Sequence, residues 1–380
     1  MKLLVFTEYF PTSEDDLAGG VEKRAFHLLS ELAKKNDITV LCSHQQKQAR
    51  FSTINGIRVM RVGPTLDYSN KGNILGRFLF AFTAMLTGLI LPGIDAIEAF
   101  SYLLYPATCI VGLFRRKPVI ITFHESWTFH EWISLKGWWT GLFGIACTSL
   151  ANLIGFTRAI AVSGATRQRL IEQHIPARKI DVVYNGLDLA QMRAVKGTPR
   201  ELSVMTSARL IKSKRMDVLI KATAELRKEF PNISLTIHGD GDERKLLEQL
   251  IARLKLQKNV TITGRISKFL RVLQLRKKHK VFCLPSDVEG FGMVVVEALA
   301  EGIPVVCTDI PVLREVTCNG QGALLFKSGD SHDLARKLRM LFTDAKLYAQ
   351  KQKEANACAA HYDWKIVARD AEKTYQKVLR

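Results

Sequence analysis

The hydrophobic residues of this chain fall into short β-branched runs, which are separated by longer segments with apolar residues at helical spacing. In the first half, the predicted strands are Lys2–Phe6, Ile38–Cys42, Ile57–Val62, Ala96–Ala99, Val119–Phe123 and Ala159–Val162. In the second half, they are Leu202–Ser207, Ser234–His238, Val260–Thr263, Val281–Leu284, Val305–Thr308 and Ala323–Phe326. Amphipathic segments such as Val21–Lys35, Met216–Glu229 and Glu243–Leu254 predict helices between the strands. This alternation indicates parallel sheets covered by helices on both faces.

The alternating pattern occurs twice, which predicts two domains. The polar stretch Lys196–Arg200 contains both glycine and proline and is typical of a linker. We therefore expect an α/β fold of two doubly wound, Rossmann-like domains, residues 1–195 and 200–355, that face a central cleft. A helix is predicted within the C-terminal segment 361–380. Ligands of open α/β sheets bind at the carboxyl ends of the strands, so the site is expected there.

Two stretches without charged residues, 78–94 and 137–157, are close to the length of a membrane span. The first is short and ends in a Pro-Gly pair, and the second contains several glycines and hydroxyl groups. We expect helices that are buried or lie at an interface rather than true spans. The amino-terminal apolar run, Leu3–Phe6, is too short for a secretory signal and is predicted to form a buried strand.

Composition adds a strong positive charge to this picture. The chain of 380 residues has 55 Lys and Arg against 36 Asp and Glu, a formal net charge of +19, and 47% hydrophobic residues exclude a disordered protein. The charge implies a polyanionic partner, which could be nucleic acid, an anionic membrane or a phosphorylated substrate. The 7 cysteines include no Cys-x-x-Cys pair. We therefore expect neither a disulfide framework nor a zinc site, and a reducing compartment.

The segment richest in candidate chemistry is 285–304, PSDVEGFGMVVVEALAEGIP. A strand there leads into a glycine-containing loop and then a helix, so Glu289 is expected at the carboxyl end of the strand. The loop Gly290–Gly292 lets a ligand approach the backbone, and free amides at the helix start would bind phosphate oxygens. Glu297, further along the helix, could accept both hydroxyls of a ribose. The alternative is a capping acid and a surface acid.

Two cations follow the predicted strand Leu202–Ser207. Arg209 offers a planar bidentate fork and Lys214 a mobile point charge, a combination that suits a diphosphate. Solvated cations in a basic loop are the alternative.

The first half has weaker candidates. Gly19 and Gly20 precede an amphipathic helix, where they would form an anion site or a plain turn. His124 ends the strand Val119–Phe123, where it could hydrogen-bond a substrate hydroxyl or only orient its neighbours. The sequence His238–Gly241 ends another strand and is expected to shape the floor of the cleft.

Together these segments resemble the GT-B glycosyltransferases, and within them the large retaining group called family 4. The most specific element is the E-x7-E pattern from Glu289 to Glu297, and the Arg209–Lys214 pair is similar to the group's donor-diphosphate clamp. The resemblance extends over nearly the whole chain, and its other elements are Gly19–Glu22, His124, Ala161–Ser163 and Tyr184–Asp188.

The resemblance implies a role for each residue. Glu297 would bind the ribose of a nucleotide-sugar donor, and Arg209 and Lys214 would bind its diphosphate. Glu289 would meet the transferred sugar, either as a nucleophile or as a positioning group. The implied catalytic residues are Glu289, His124, Arg209 and Lys214, the donor-binding residues also include Gly290, Phe291, Gly292 and Glu297, and Gly19, Gly20 and His124 would line the acceptor side. Enzymes of this group retain anomeric configuration and need no metal or further cofactor, and their C-terminal helix crosses back to the first domain.

The chain departs from the group's pattern at three places. Arg215 follows Lys214 where glycine is usual. The segment 265–280 has seven Lys or Arg and no acid, which favours either a membrane-facing patch or a solvated helix face. Four of the five tryptophans lie within 127–139, a belt that suits an acyl chain, a membrane interface or an ordinary core.

Three functions follow as expectations. The first is a retaining transferase that moves a sugar to a lipid-linked or cell-envelope glycan, peripheral at the cytoplasmic membrane face. The second is a GT-B enzyme of other chemistry, such as a nucleotide-sugar epimerase. The third, a nucleic-acid-binding protein, is disfavoured because the positive charge is spread along the chain and no binding module is present. We therefore expect a nucleotide-sugar donor, a glycan or lipid-linked acceptor and an anionic membrane as partners.

Overall fold

The computed structural model describes residues 1–17, 19–67, 73–266 and 268–379, and it divides the chain into two compact units. Unit 1 consists of Met1–Gly186 and Trp364–Arg380, and unit 2 of Leu187–Asp363. The division lies before the linker expected at 196–200, because residues 187–195 already belong to the second unit.

Unit 1 is built on a sheet of eight strands in the order β3-β4-β2-β1-β5-β6-β7-β8. The strands are β1 (Lys2–Phe6), β2 (Asp37–His44), β3 (Phe51–Ile54), β4 (Ile57–Thr65), β5 (Ala96–Ala99), β6 (Val119–Phe123), β7 (Arg158–Ala161) and β8 (Ile180–Val182). All pairs are parallel except β3 with β4. Side chains alternate along β1, so that Leu3 and Val5 enter one core cluster and Leu4 and Phe6 another. Both faces of the sheet are therefore buried.

The helices that cover this sheet are α1 (Gly20–Ala33), α2 (Ile74–Ile90), α3 (Tyr105–Arg115), α4 (Phe129–Lys136), α5 (Trp138–Ile154) and α6 (Gly164–Glu172). In addition to these six, the C-terminal helix described below belongs to the same unit. Helix α4 begins with a capping box in which the Thr128 hydroxyl and the Glu131 carboxylate each accept from the other's backbone amide.

Unit 2 is built on an all-parallel sheet of six strands in the order β11-β10-β9-β12-β13-β14. The strands are β9 (Arg200–Ser207), β10 (Ser234–His238), β11 (Val260–Gly264), β12 (His279–Leu284), β13 (Val305–Thr308) and β14 (Ala323–Phe326). The helices are α7 (Leu189–Ala194), α8 (Met216–Leu226), α9 (Arg244–Arg253), α10 (Phe269–Arg276), α11 (Met293–Ala300), α12 (Pro311–Val316), α13 (Ser331–Thr343) and α14 (Ala345–Ala359). The last helix, α15 (Trp364–Leu379), is part of unit 1.

Helix α15 is held in unit 1 by aromatic and polar contacts. The Trp364 indole stacks on the His27 ring of α1, with 5.5 Å between ring centroids. A Cβ on Gly186 would lie 2.5 Å from the same indole, so only glycine fits there. At the other end, Lys377 Nζ donates to Asp181 Oδ1 over 2.7 Å.

All twelve predicted strands are present, which confirms the expected α/β fold of two parallel-sheet units. Strands β3 and β8 were not predicted. Two of the cysteines overturn the expectation of no disulfide: Cys318, just after α12, is bonded to Cys358 in α14, with 5.9 Å between Cα atoms. The pair is 40 residues apart in sequence, and it is brought together by packing of helices that spacing does not reveal.

Neither charge-free stretch forms a helix that is both long and apolar enough to cross a membrane, and the same holds throughout 1–17, 19–67, 73–266 and 268–379.

Candidate active site

Strands β9 and β12 are neighbours in unit 2, so the loops at their carboxyl ends lie side by side. Lys214 ends a 3₁₀ turn, Lys212–Lys214, after β9, and Glu289 lies in the loop after β12. Lys214 Nζ donates to Glu289 Oε1 over 2.7 Å, and both side chains are largely buried. Two of the residues expected to be catalytic are thus in direct contact.

The same two loops are joined by Arg215, the residue that follows Lys214. The Asp287 amide donates to the Ser213 carbonyl over 2.9 Å. Arg215 has a φ of +48°, a left-handed conformation that favours glycine. Its guanidinium pairs with Asp287 at 2.8 Å and with Asp217 at 3.2 Å. These carboxylates raise the pKa of Arg215, and the ion pairs offset the backbone strain of a non-glycine residue.

Arg209 follows β9 on a segment shaped by the glycines after β10. A Cβ on Gly239 would lie 1.8 Å from the Ala208 carbonyl oxygen, and one on Gly241 would lie 2.4 Å from that of Leu210. The amide of Leu210 donates to the Asp240 carbonyl over 2.9 Å. The Arg209 side chain is exposed, and it makes no hydrogen bond or ion pair with any residue in the described ranges.

His238 fixes the ends of three strands of this sheet. Its Nε2 accepts from the Ile266 amide over 3.2 Å, so the proton lies on Nδ1, which donates to Ser207 Oγ over 2.6 Å. Burial, with the nearby charge of Arg276, lowers the pKa of His238 and keeps the ring neutral. The histidine therefore holds the carboxyl ends of β9, β10 and β11 together.

The start of α11 offers backbone donors. Gly292, the N-cap, has a φ of +85°, and a Cβ there would lie 2.8 Å from the Leu313 side chain. The amides of Met293 and Val294 have no acceptor among the described residues, so they are open to an anion. The Phe291 ring is buried against Tyr362, with 5.7 Å between ring centroids. The Phe291 side chain is therefore engaged within unit 2.

Glu297 is more deeply engaged than the sequence indicated. Its carboxylate is buried and accepts from Arg276 Nη2 over 2.9 Å. Arg276 lies on α10 and is itself fully buried, and its Nε lies 3.7 Å from Glu301. The basic segment 265–280 is accordingly not one solvated face: Arg276 is internal, Lys277 donates to the Glu301 carbonyl, and Lys280 pairs with Glu201.

The buried Arg276 cluster predicts a pH-dependent stability. Burial raises the pKa of Glu301 from 4.5 to about 7. Folding therefore favours the protonated form of the Glu301 carboxyl. Its contribution to stability is fully present below the pKa that Glu301 has in the unfolded chain, and it is lost as pH rises through the pKa that Glu301 has in the folded protein. Between about pH 5 and about pH 8 we expect this group to lower the free energy of unfolding by about 2–3 kcal/mol. Urea unfolding of the protein and of Glu301→Gln measures it, and an equal pH slope in both would contradict the assignment.

In unit 1 the carboxyl ends of β1, β5 and β6 are neighbours, and the remaining candidates lie at that edge. Gly19 caps α1 with an extended backbone and Gly20 begins the helix. His124 follows β6 with its ring against Phe100. Its Nε2 is buried and has no hydrogen-bond partner among the described residues. Burial, with the charge of Arg24, lowers the pKa of His124 to about 3, so the ring acts there as a neutral hydrogen-bonding group.

A buried charge cluster beside His124 was not predicted. Arg24 on α1 is fully buried and donates to the carbonyls of Val183 and Tyr184 at 3.1 and 2.7 Å. Glu98 on β5 accepts from Thr122 and from Tyr375 of α15, each over 2.6 Å. Burial lowers the pKa of Arg24 to about 10 and raises the pKa of Glu98. A charged residue within the apolar strand Ala96–Ala99 was the available sequence signal.

A cavity of about 540 Å³ lies at the opposite edge of the same sheet. It is lined by the amino ends of β1 and β2, by β3 and β4, and by the segment 91–94 that follows α2. None of the candidate site residues lines it.

Comparison with known proteins agrees with this architecture. The family model described as "Glycosyltransferase Family 4" matches residues 18–191, and the one described as "Glycosyl transferases group 1" matches 190–357. Two parallel-sheet units matched in this order define a glycosyltransferase of the GT-B class. Because the two models together extend from 18 to 357, the chain belongs to glycosyltransferase family 4.

Individual relatives are distant. The chain is 29% identical over 160 residues to the GtfA subunit of a UDP-N-acetylglucosamine–peptide N-acetylglucosaminyltransferase from Streptococcus pneumoniae, 40% of this chain and 31% of that protein. It is 29% identical over 267 residues to the phosphatidyl-myo-inositol mannosyltransferase of Mycolicibacterium smegmatis, 69% of this chain and 65% of that protein. The chain thus spans less than two thirds of both relatives. The crystal structure of Anabaena HepE in complex with UDP superposes with a TM-score of 0.77 at 22% identity, covering 99% and 100% of the two chains.

Proposed function

We propose that the protein is a retaining glycosyltransferase that moves a sugar from a nucleotide-diphosphate-sugar to a lipid-linked or cell-envelope glycan at the cytoplasmic membrane face. The proposed binding of the nucleotide-sugar donor is supported by one observation. Arg209, which has no ion-pair partner in the described ranges, and the Lys214–Glu289 pair lie at the carboxyl ends of β9 and β12. UDP and UDP-glucose in the HepE structures support a uridine nucleotide as the first donor to test. The mannosyltransferase relative acts, by its name, on a phosphatidylinositol, which supports a lipid acceptor.

The chemistry of this proposal is stabilisation of a leaving group. When the bond from the anomeric carbon to the phosphate breaks, negative charge grows on the diphosphate. Arg209, Lys214 and the amides at the start of α11 receive that charge without reorganising water. No metal is required in this scheme because the two side-chain cations take its place. Glu289, held by Lys214, positions the sugar, and its carboxylate lowers the cost of positive charge at the anomeric carbon.

In unit 1 the neutral His124 and the start of α1 at Gly19 and Gly20 would meet the acceptor. A neutral imidazole can orient a hydroxyl by hydrogen bonding without competing for its proton. The orphaned Nε2 of His124 is the observation that supports this role.

A panel of nucleotide-sugars tests the function. Purified protein is incubated with each donor, with and without a bacterial lipid extract, and release of nucleoside diphosphate is measured. We expect release from one donor, stimulated by the extract, and an α-linked product from an α-configured donor by NMR. Conversion of the donor to a stereoisomer without acceptor would indicate an epimerase. Absence of release from every donor under both conditions would contradict the proposal.

A further inference from the structure

In helix α2 the large apolar side chains are exposed and the buried positions are mostly small, which is the reverse of a typical surface helix. Its buried positions, four residues apart, are Gly76, Phe80, Ala84 and Gly88, and three of these four are small. Its exposed side chains are large and apolar: Ile74, Leu75, Phe78, Leu79, Phe82, Leu86 and Ile90. A soluble helix places its large apolar residues against the core and polar residues outward. Helix α2 therefore leaves exposed a large apolar surface that the folding of a soluble protein would ordinarily remove from water.

Helix α5 has the same inversion. Its buried positions are Gly141, Gly144, Cys147 and Ala151. Trp138 and Trp139 at its start are exposed, as are Leu150 and Leu153 near its end, and Leu153 is 84% exposed. Two helices with small residues inward and large apolar residues outward are not explained by the core of unit 1.

Helix α3 joins these two surfaces into one. Gly88 of α2 packs against Val111 of α3, and the Arg115 guanidinium donates to the Gly88 carbonyl over 3.1 Å. On the other side, Cys109 Sγ donates to the Ala151 carbonyl of α5 over 3.8 Å. Helix α3 ends with the exposed side chains of Leu113 and Phe114. We call the exposed apolar residues of these three helices the α2–α3–α5 face: Ile74, Leu75, Phe78, Leu79, Phe82, Leu86, Ile90, Leu113, Phe114, Trp138, Trp139, Leu150 and Leu153.

The face concentrates apolar exposure in one part of the protein. Of the 20 exposed large apolar side chains in the described ranges, 13 belong to this face. Scattered exposed apolar residues are normal, whereas a contiguous patch marks an interaction site.

The charged residues around this face indicate what kind of partner it binds. The sequence has no Asp or Glu in 74–94, 105–118 or 132–157, the segments that contain the three helices. The apolar end of α3 is followed at once by Arg115, Arg116 and Lys117. Apolar residues that can enter the acyl boundary, bordered by cations and by tryptophans, fit the interface of a bilayer with anionic lipids.

We propose that the α2–α3–α5 face of unit 1 seats the protein on an anionic lipid bilayer, with the three helices lying at the interface rather than crossing it. The proposed function places sugar transfer at a membrane, and this inference names the surface that contacts it. It rests on the proposed function only for the identity of the membrane-bound acceptor. The face competes with the basic segment 265–280 as the membrane contact, and three of that segment's cations are engaged within unit 2.

Flotation with vesicles tests the proposal on the whole protein without donor or acceptor. We expect the protein to float with phosphatidylcholine–phosphatidylglycerol vesicles and much less with phosphatidylcholine alone. The double variant Leu86→Glu/Phe114→Glu changes two exposed side chains, so folding should be kept, and binding should fall about tenfold or more. Thermal unfolding checks the fold of each variant.

Two controls make the result specific. Phe51→Glu alters a side chain on β3 that is equally exposed and lies outside the face, and it should leave vesicle binding unchanged. Replacement of Arg265, Lys268 and Arg271 by glutamine should have a smaller effect than the double variant. Unchanged binding of the folded double variant, or equal loss in Phe51→Glu, would overturn the proposal, as would a stable dimer that ignores vesicles. Nucleotide release is scored separately, so lipid binding without release would contradict only the transferase function.

Discussion

Replacing Arg209 with alanine is expected to lower kcat/KM for sugar transfer by about a hundredfold, with most of the loss in kcat. In the proposed mechanism this side chain meets charge that develops on the leaving diphosphate, and removal of one preorganised donor of that kind typically costs about a hundredfold to a thousandfold. Because the Arg209 side chain is exposed and makes no hydrogen bond or ion pair within the described ranges, its loss should leave the fold intact. Lys214 differs: its removal would leave the largely buried Glu289 unpaired.

Arg209→Lys separates charge from geometry. It keeps the positive charge but loses the bidentate fork, so its activity should lie between those of the wild type and Arg209→Ala. Arg253→Ala removes an exposed arginine from α9 and serves as a matched control with normal turnover. Steady-state nucleotide release for the four proteins gives the comparison. If Arg209→Ala turns over like Arg253→Ala, Arg209 does not contact the leaving group.

The strands were predictable because most are buried on both faces. A short, β-branched apolar run such as Val119–Phe123 is typical of a strand in a parallel sheet, and all five of its residues are buried. Strand β3 escaped because it is an antiparallel edge strand of four residues with no fully buried position. Strand β8 is only three residues long and has one buried position. Strand β3 was also missed because no helix separates it from β2 or β4.

The predictability of the site followed a different rule. Residues at the carboxyl ends of neighbouring strands could be named from sequence, and Lys214 and Glu289 do meet. Partners that depend on packing could not: Arg215 with Asp287 joins loops 72 residues apart in sequence. Arg276 was grouped with the other cations of its segment, as part of either a membrane-facing patch or a solvated helix face. Its spacing was nevertheless a signal, since it lies four residues after Val272 on the buried face of α10.

The burial of Arg276 changes what the loss of Glu297 should do. Glu297→Ala is expected to lower the free energy of unfolding by about 3–5 kcal/mol, because it leaves a buried guanidinium without its hydrogen-bonded partner. Loss of transfer in this variant therefore proves nothing about ribose binding. Urea unfolding measures the stability, and calorimetry measures nucleoside diphosphate binding to the protein that remains folded.

The double variant Arg276→Met/Glu297→Leu separates the two roles of Glu297. Replacing a buried ion pair with apolar side chains of similar volume is often neutral or stabilising, and Glu301 can stay protonated once Arg276 is gone, so stability should return. A carboxylate that binds the ribose cannot be restored by packing, so the folded double variant should still bind nucleoside diphosphate about tenfold or more weakly. Arg276→Met/Glu297→Gln keeps a polar group for the ribose hydroxyls and should recover part of that affinity. Wild-type affinity in the stable Leu variant would restrict Glu297 to holding Arg276, and the ribose would then have to be bound by other groups of unit 2.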